Sequence, residues 1–269
     1  MPAPTLETTP ARPDGLLIDE RRGLILALVR EQRRVTVAQL ADRFKTSLVT
    51  IRADLAALAA EGALVRTRGG ALPVRDEEEV PLNVKQTLHQ EQKQRIAAAA
   101  AALIRDGETI LLDSGTTTYA LASQIRGLPL TGINVITNAL NIATVLAPVP
   151  HVNLIMPGGQ LRQQSFSLSG PIAVNSLNGL HADRLFLGVD SLDPEIGLMT
   201  PYLQEAQSNA QMIRISRQVI AVADSSKLMR RNLSVIASVD QLHMLITDSA
   251  ANPETVEELR RRGVEVVLV

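Results

Sequence analysis

At 269 residues the chain exceeds one typical domain and fits a small domain followed by a medium one. It has no cysteine, which excludes disulfides, thiolate catalysis and cysteine-based metal sites. Its four histidines, His89, His151, His181 and His243, lack ligand spacing, so no metal site or other cofactor is expected. Net charge is −1 but unevenly spread: 11 Lys/Arg stand against 6 Asp/Glu from Leu16 to Arg75, and 15 against 20 from Asp76 to Val269. Met1–Gly15, rich in Pro and Thr and without the apolar core of a signal peptide, is expected to be a disordered tail. Apolar runs such as Ile96–Ile104 fall far short of the ~20 residues a bilayer requires, so a cytoplasmic location is expected, with no membrane partner.

In chain order, the first strong pattern lies between Leu24 and Leu58. Leu24, Leu28, Leu40, Ala41 and Phe44 recur at helical spacing, and so do Leu48, Ile51, Leu55 and Leu58. The spacing predicts two short amphipathic helices joined by a tight turn. Ser47 stands at the N-cap of the second, and Gly62 stands where a left-handed C-cap would end it. With the apolar stripe turned inward, Val49, Thr50, Arg52, Ala53 and Ala56 face outward. Such a slim face, with Thr50 and Arg52 able to reach phosphates or base edges, fits the major groove of duplex DNA. Ala63–Leu72 then reads as two apolar runs around Gly69-Gly70, a hairpin on which Arg66 and Arg68 form a basic wing. The candidate DNA contacts are Ser47, Val49, Thr50, Arg52, Ala53, Arg66, Arg68 and Gly69. With two Tyr, three Phe and no Trp, the chain lacks the stacking platforms that bind single strands.

Arg75–Pro81, charged and closed by proline, reads as a linker, and a long helical pattern over Val84–Ile104 follows. Strands are predicted at Thr109–Leu112, Ile133–Thr137, Val152–Met156, Arg184–Gly188, Val219–Ala223, Leu242–Thr247 and Val264–Val269. Helices are predicted at Thr117–Ile125, Asn138–Leu146, Leu203–Ser216 and Pro253–Arg262. Continuous apolar strands with helices between them imply a mostly parallel sheet covered on both faces. Ligands of such sheets sit beyond the carboxyl ends of the strands. Those ends carry polar clusters. Asp113, Ser114, Gly115, Thr116, Thr117 and Thr118 make a glycine-containing hydroxyl loop entering a helix, where amides and dipole suit a phosphate. Thr137 with Asn138, Gly158 with Gly159 and Arg162, Asp190, and Lys227 at the end of Asp224-Ser225-Ser226 complete the set. Each cluster alone also reads as a cap, a turn or a solvated charge. Their coincidence at successive strand ends points to a pocket for a phosphorylated polyol.

Thr50-Ile51-Arg52-Ala53-Asp54-Leu55, Glu61-Gly62 and Arg66-Thr67-Arg68-Gly69-Gly70-Ala71 together resemble the DeoR family of bacterial transcriptional regulators. Ala53 stands where that family usually has a second arginine, and Arg68 where it often has histidine. Asp113-Ser114-Gly115-Thr116-Thr117, Thr137-Asn138, Gly158-Gly159-x-x-Arg162 and Asp224-Ser225-Ser226-Lys227 resemble the same family's sensor domain. The resemblance spans about Asp19 to Val269 and is weakest over Leu192–Leu198. It implies a winged helix-turn-helix head (16–75), a linker with the start of a connecting helix (76–92), and a sugar-phosphate-sensing domain related to ribose-5-phosphate isomerase-like folds (93–269). It further implies a repressor of a carbohydrate catabolic operon, with a double-stranded DNA operator and a small phosphorylated sugar as partners. A homodimer or homotetramer is expected, because one small head buries too little DNA for tight specific binding. The alternative is a sugar-phosphate isomerase or transferase with an accessory DNA-binding head, with Asp113, Asp190 or Glu205 as its base.

Overall fold

The computed structural model describes residues 18–32, 34–60, 63–73 and 82–269. The expected tail at 1–15, the C-cap at Gly62 and the linker over Arg75–Pro81 lie outside the described residues. The chain divides into two compact units, one ending at Leu88 and the other beginning at His89.

The first unit contains α1 (Ile18–Gln32), β1 (Val35–Thr36), α2 (Val37–Arg43), α3 (Leu48–Ala60), β2 (Leu64–Thr67), β3 (Gly70–Pro73) and α4 (Leu82–Thr87). Thr36 starts α2 with a reciprocal cap: its hydroxyl accepts the Gln39 amide at 3.2 Å, and the Gln39 side-chain oxygen accepts the Thr36 amide at 2.9 Å. Lys45, at a left-handed φ of 49°, makes the tight turn. Ser47 then caps α3, its Oγ accepting the Thr50 amide at 3.0 Å. The predicted hairpin forms as β2 and β3, and β1 joins it to give an antiparallel sheet in the order β1-β3-β2. That third strand requires glycine at position 70, where a Cβ would lie 1.8 Å from the Val35 carbonyl oxygen.

Ile25, Leu26, Val29, Leu40, Ile51, Leu55 and Leu58 form the core of this unit, closed by Leu64, Ala71 and Leu88. Two residues expected in it are outside. Leu24 is 46 % exposed and Leu48 45 %. The buried face of α1 is centred on Ile25, Leu26 and Val29, roughly 150° round the axis from Leu24. Leu48 is the first residue of α3, with no preceding turn to cover it.

The second unit opens with α5 (Gln90–Ala101). The single helix predicted over Val84–Ile104 is corrected here to two, α4 and α5, broken by His89 at a left-handed φ of 54°. The left-handed residue ends the helical hydrogen-bond ladder, which an apolar rhythm along the sequence does not reveal. There follow β4 (Thr109–Leu112), α6 (Thr116–Ile125), β5 (Ile133–Thr137), α7 (Leu140–Leu146), β6 (Val152–Ile155), β7 (Gln160–Arg162), β8 (Ser167–Ser169), α8 (Pro171–Ser176) and β9 (Ala182–Gly188). The chain ends with β10 (Ser191–Asp193), β11 (Gly197–Thr200), α9 (Leu203–Arg214), β12 (Ser216–Val222), β13 (Ser234–Ala237), β14 (Met244–Thr247), α10 (Pro253–Arg261) and β15 (Glu265–Leu268).

All seven predicted strands form one sheet, ordered β15-β14-β12-β9-β4-β5-β6 and parallel throughout. Alternate residues feed two cores, as the pleat requires. Leu111, Leu185, Ala221 and Leu245 enter one, and Ile110, Leu112, Phe186, Ile220 and Ile246 the other. Two small antiparallel sheets, β7-β8 and β10-β11-β13, were not predicted, nor was α8. The weakly matching segment Leu192–Leu198 is the turn of the β10-β11 hairpin. The fold is thus a helix-turn-helix unit plus a mostly parallel α/β unit.

Candidate functional site

In the first unit the α3 face that carries Val49, Arg52 and Ala53 is exposed, Val49 by 72 %. Thr50 is half-buried, and its hydroxyl lies 2.8 Å from that of Ser47. Arg66 and Arg68 are exposed on the β2-β3 hairpin. Gly69 acts through its backbone, its carbonyl accepting the Val37 amide at 2.8 Å and tying the wing to α2. Ala56, expected outward, is half-buried.

Beneath that face sits a residue to which sequence reasoning gave no role. Asp54 is 2 % exposed, and each of its oxygens takes an arginine from α1: Arg21 Nε donates to Oδ2 at 2.6 Å, Arg22 Nε to Oδ1 at 3.1 Å. The available signal was an acidic residue at the spacing of the buried stripe, Ile51, Asp54, Leu55 and Leu58.

In the second unit the carboxyl ends of β14, β12, β9, β4, β5 and β6 lie along one edge because the sheet is parallel. Asp113, just past β4, is 1 % exposed and accepts the Gly188 amide, at the end of β9, at 2.9 Å. Burial pushes its carboxyl well above the usual carboxylate range. The Gly188 amide opposes that push, the charges of Glu205 and Asp190 add to it, and the Thr118 side chain opposes it. Asp190 and Glu205 both reach the Thr200 hydroxyl, at 3.0 and 3.1 Å. Glu205 also accepts from Arg162 at 2.9 Å, and the Arg162 guanidinium lies 4.3 Å from the Tyr202 ring centroid. Asp113, Asp190 and Arg162, separate in sequence, therefore belong to one electrostatic cluster with Glu205, Thr200 and Tyr202.

The other predicted ligand residues divide. Ser114, Gly115 and Thr116 are half-buried where α6 begins. Thr117 and Thr118 are buried, and the Thr118 hydroxyl donates to the Gly115 carbonyl at 3.0 Å. Thr137 is fully buried and its hydroxyl accepts the Ala139 amide at 3.1 Å. Asn138 donates to the Leu168 carbonyl at 3.1 Å, leaving its buried Oδ1 without a protein partner. Gly158 donates its amide to Ser176 at 3.2 Å. Gly159, at a φ of 141°, has no room for a Cβ, which would meet Ala173 at 2.9 Å. This pair is the turn into β7, the strand that carries Arg162.

Lys227 lies two strands from β4, in the single turn of 3-10 helix after β12. Burial would raise the neighbouring Asp224, but the Ser226 hydroxyl, followed by the charges of Lys227, His89 and Lys93, holds its carboxyl below the usual range. Lys93 is only 7 % exposed and was missed by sequence reasoning. It shares the buried face of α5 with Ile96, Ala97 and Ala100, at helical spacing. Tyr202 and Thr200 left no sequence signal of their own. Among the described residues no group of three His, Asp or Glu side chains is placed to hold a metal, and no helix is long and apolar enough to cross a membrane.

Against known families, residues 21–76 match the DeoR-like helix-turn-helix domain and residues 88–249 the DeoR C-terminal sensor domain. The chain belongs to the DeoR family. As a DeoR-family member it is a DNA-binding transcriptional regulator, and its curated relatives are regulators, not enzymes. A protein named putative aga operon transcriptional repressor, from Escherichia coli O157:H7, is 40 % identical over 253 residues, covering 93 % of each chain. The transcriptional repressor GlcR of Bacillus subtilis is 32 % identical over 93 % of this chain and 96 % of its own. The regulator UlaR of Shigella dysenteriae is 31 % identical, covering 93 % and 98 %. Among solved structures, ribose-5-phosphate isomerase A from Methanocaldococcus jannaschii aligns with 52 % of this chain and 55 % of its own, at a TM-score of 0.38 and 16 % identity. A likeness that slight carries no argument.

Proposed function

We propose that this DeoR-family chain represses a carbohydrate catabolic operon and that a phosphorylated sugar controls its grip on the operator. The observation that carries the effector reading is the polar edge of the parallel sheet. There the buried Asp113 is followed by the half-buried Ser114–Thr116 segment at the start of α6 and feels the charges of Glu205 and Asp190; Glu205 in turn holds Arg162, and Asn138 follows the neighbouring strand β5. Backbone amides at a helix start and a guanidinium suit a phosphate, and carboxylates with an amide oxygen suit hydroxyls. Burial shifts the Asp113 carboxyl toward its neutral form, the form that can donate to a ligand oxygen. Thr117, Thr118, Thr137, Gly158 and Gly159 shape the loops behind these groups, and Lys227 supplies a second cation further along the edge.

The DNA contacts are Ser47, Val49, Thr50, Arg52 and Ala53 on α3, with Arg66 and Arg68 on the wing and Gly69 at its turn. Arginines on the wing neutralise phosphates, and the small residues of α3 allow close approach to bases. Ala53 in place of a larger cation removes one donor and narrows the set of bases read directly. Two or more heads act together, because a single module buries too little DNA for nanomolar binding. The names of the relatives above, among them repressors, support this reading.

A thermal-shift series of free sugars against their phosphates tests the pocket. Stabilisation by one phosphate and not by its parent sugar is expected, and equal stabilisation by both removes the assigned phosphate loop. The same phosphate is then added to the chain bound to DNA upstream of its own gene. A change in the salt-dependent midpoint of binding is the expected outcome.

A further inference from the structure

We infer that Asp54, held by Arg21 and Arg22, is a positioning residue for DNA recognition: this buried ion cluster sets the rotation of α3 that turns Arg52 and Val49 outward. The inference rests on the assignment of α3 as the DNA-reading helix.

Apart from Asp54, the buried residues of α3 are Ile51, Leu55 and Leu58. Apolar contacts are non-directional, so such a stripe tolerates a small rotation or slide of the helix at little cost. A carboxylate with both oxygens occupied does not. Oδ2 meets Arg21 Nε at 2.6 Å and Oδ1 meets Arg22 Nε at 3.1 Å, two charge-assisted bonds whose strength depends on direction. Both arginines come from α1, so the cluster fixes α3 against that helix alone. Arg52 lies two residues before Asp54, roughly 200° round the axis, and therefore points away from the cluster. Any error in the seating of Asp54 is transmitted directly to the outward face.

Burying a charge is a poor way to gain stability. Three charges with Asp54 side-chain exposure of 3 % and arginine exposures of 13 % and 26 % are costly to desolvate, and an apolar replacement of similar size is often as stable. What the cluster adds is one defined geometry.

The test uses the full chain and two duplexes: one selected by the wild-type chain from a random-sequence pool, and a scrambled version of it. In the first variant Arg21→Lys and Arg22→Lys are combined, which keeps both positive charges but removes the planar Nε donors. Affinity for the selected duplex should fall at least about tenfold, a loss of roughly 1.4 kcal/mol. Affinity for the scrambled duplex should change less than about threefold, with the salt slope unaltered. The second variant, Asp54→Leu with Arg21→Met and Arg22→Met, should lose the same discrimination while retaining its thermal midpoint.

Unchanged discrimination in the lysine pair overturns the inference. So does an equal loss on both duplexes with a shallower salt slope in the apolar triple, which would make the arginines direct phosphate contacts. Failure of the wild-type chain to select any duplex would strike the recognition-helix assignment itself, a result separable from these.

Discussion

The two units place their functional side chains in opposite ways. On the helix-turn-helix unit the candidate contacts Val49, Arg52, Ala53, Arg66 and Arg68 are all exposed, and the fold does no more than aim them. On the sensor unit Asp113 and Asn138 are buried, and Asp190, Arg162, Thr200 and Glu205 are already bonded to one another. Duplex DNA is a large, rigid, highly charged surface, so its reader needs projecting groups that shed water on contact. A small effector is recognised by desolvation, so its sensor needs converging groups already out of water. Substitutions of the exposed contacts in the first unit should therefore separate function from stability, and those of the bonded cluster in the second should disturb both.

The largest effect expected is at the centre of the sheet. Leu185→Ala, at a fully buried position of β9, should cost about 3–4 kcal/mol in chemical denaturation of the sensor unit. Gly70→Ala should cost about 3 kcal/mol, because its Cβ would collide with backbone and force β1 from β3. A separate transition for the helix-turn-helix unit should move to lower denaturant while the sensor transition stays in place. If Gly70→Ala shifts both equally, the contrast between the units is too simple. Third comes Arg52→Ala, expected to weaken operator binding by about 1–3 kcal/mol with stability unchanged within about 0.5 kcal/mol. Full operator affinity in a filter-binding titration would remove Arg52 from the interface.

The smallest effects are pH-dependent and opposite in sign within the sensor. The Asp224 carboxyl is depressed in the folded state, so its stabilisation is present above its unfolded value of about 4 and lost as pH falls through the folded value. The Asp113 carboxyl is raised, so its contribution declines as pH rises from about 4 toward the folded value. Stability measured against pH should show the gap between wild type and Asp224→Asn closing on acidification. Asp113→Asn should gain on wild type as pH rises over the same side of the scale. Parallel curves for both variants would contradict the assigned environments.

Much of the architecture was readable from residue order, because local periodicity suffices where an element faces one environment. The seven sheet strands are rich in apolar residues, most fully at the centre of the sheet, and stood out as apolar runs. The Ser47 cap and the β2-β3 hairpin were likewise visible, although its turn is Arg68-Gly69 and Gly70 belongs to β3. The small strands β7, β8, β10, β11 and β13 were not, because polar or glycine residues interrupt each of them and leave no apolar run to detect. Nor was the break at His89, since nothing in a lone histidine announces a left-handed backbone.

Sequence by itself determined the order of the seven main-sheet strands, the basic and acidic partition, and the polar loops at strand ends, since each depends on neighbours along the chain. Tertiary structure alone decided which charges meet. Arg21 finds Asp54 across 33 positions and Arg162 finds Glu205 across 43, pairings that no local pattern encodes. It also decided which hydroxyls are consumed inside the protein, as in Thr118 and Thr137. The reason is physical: burial and charge pairing depend on distance in space, and residues far apart in the chain become neighbours only when the sheet and its covering helices pack.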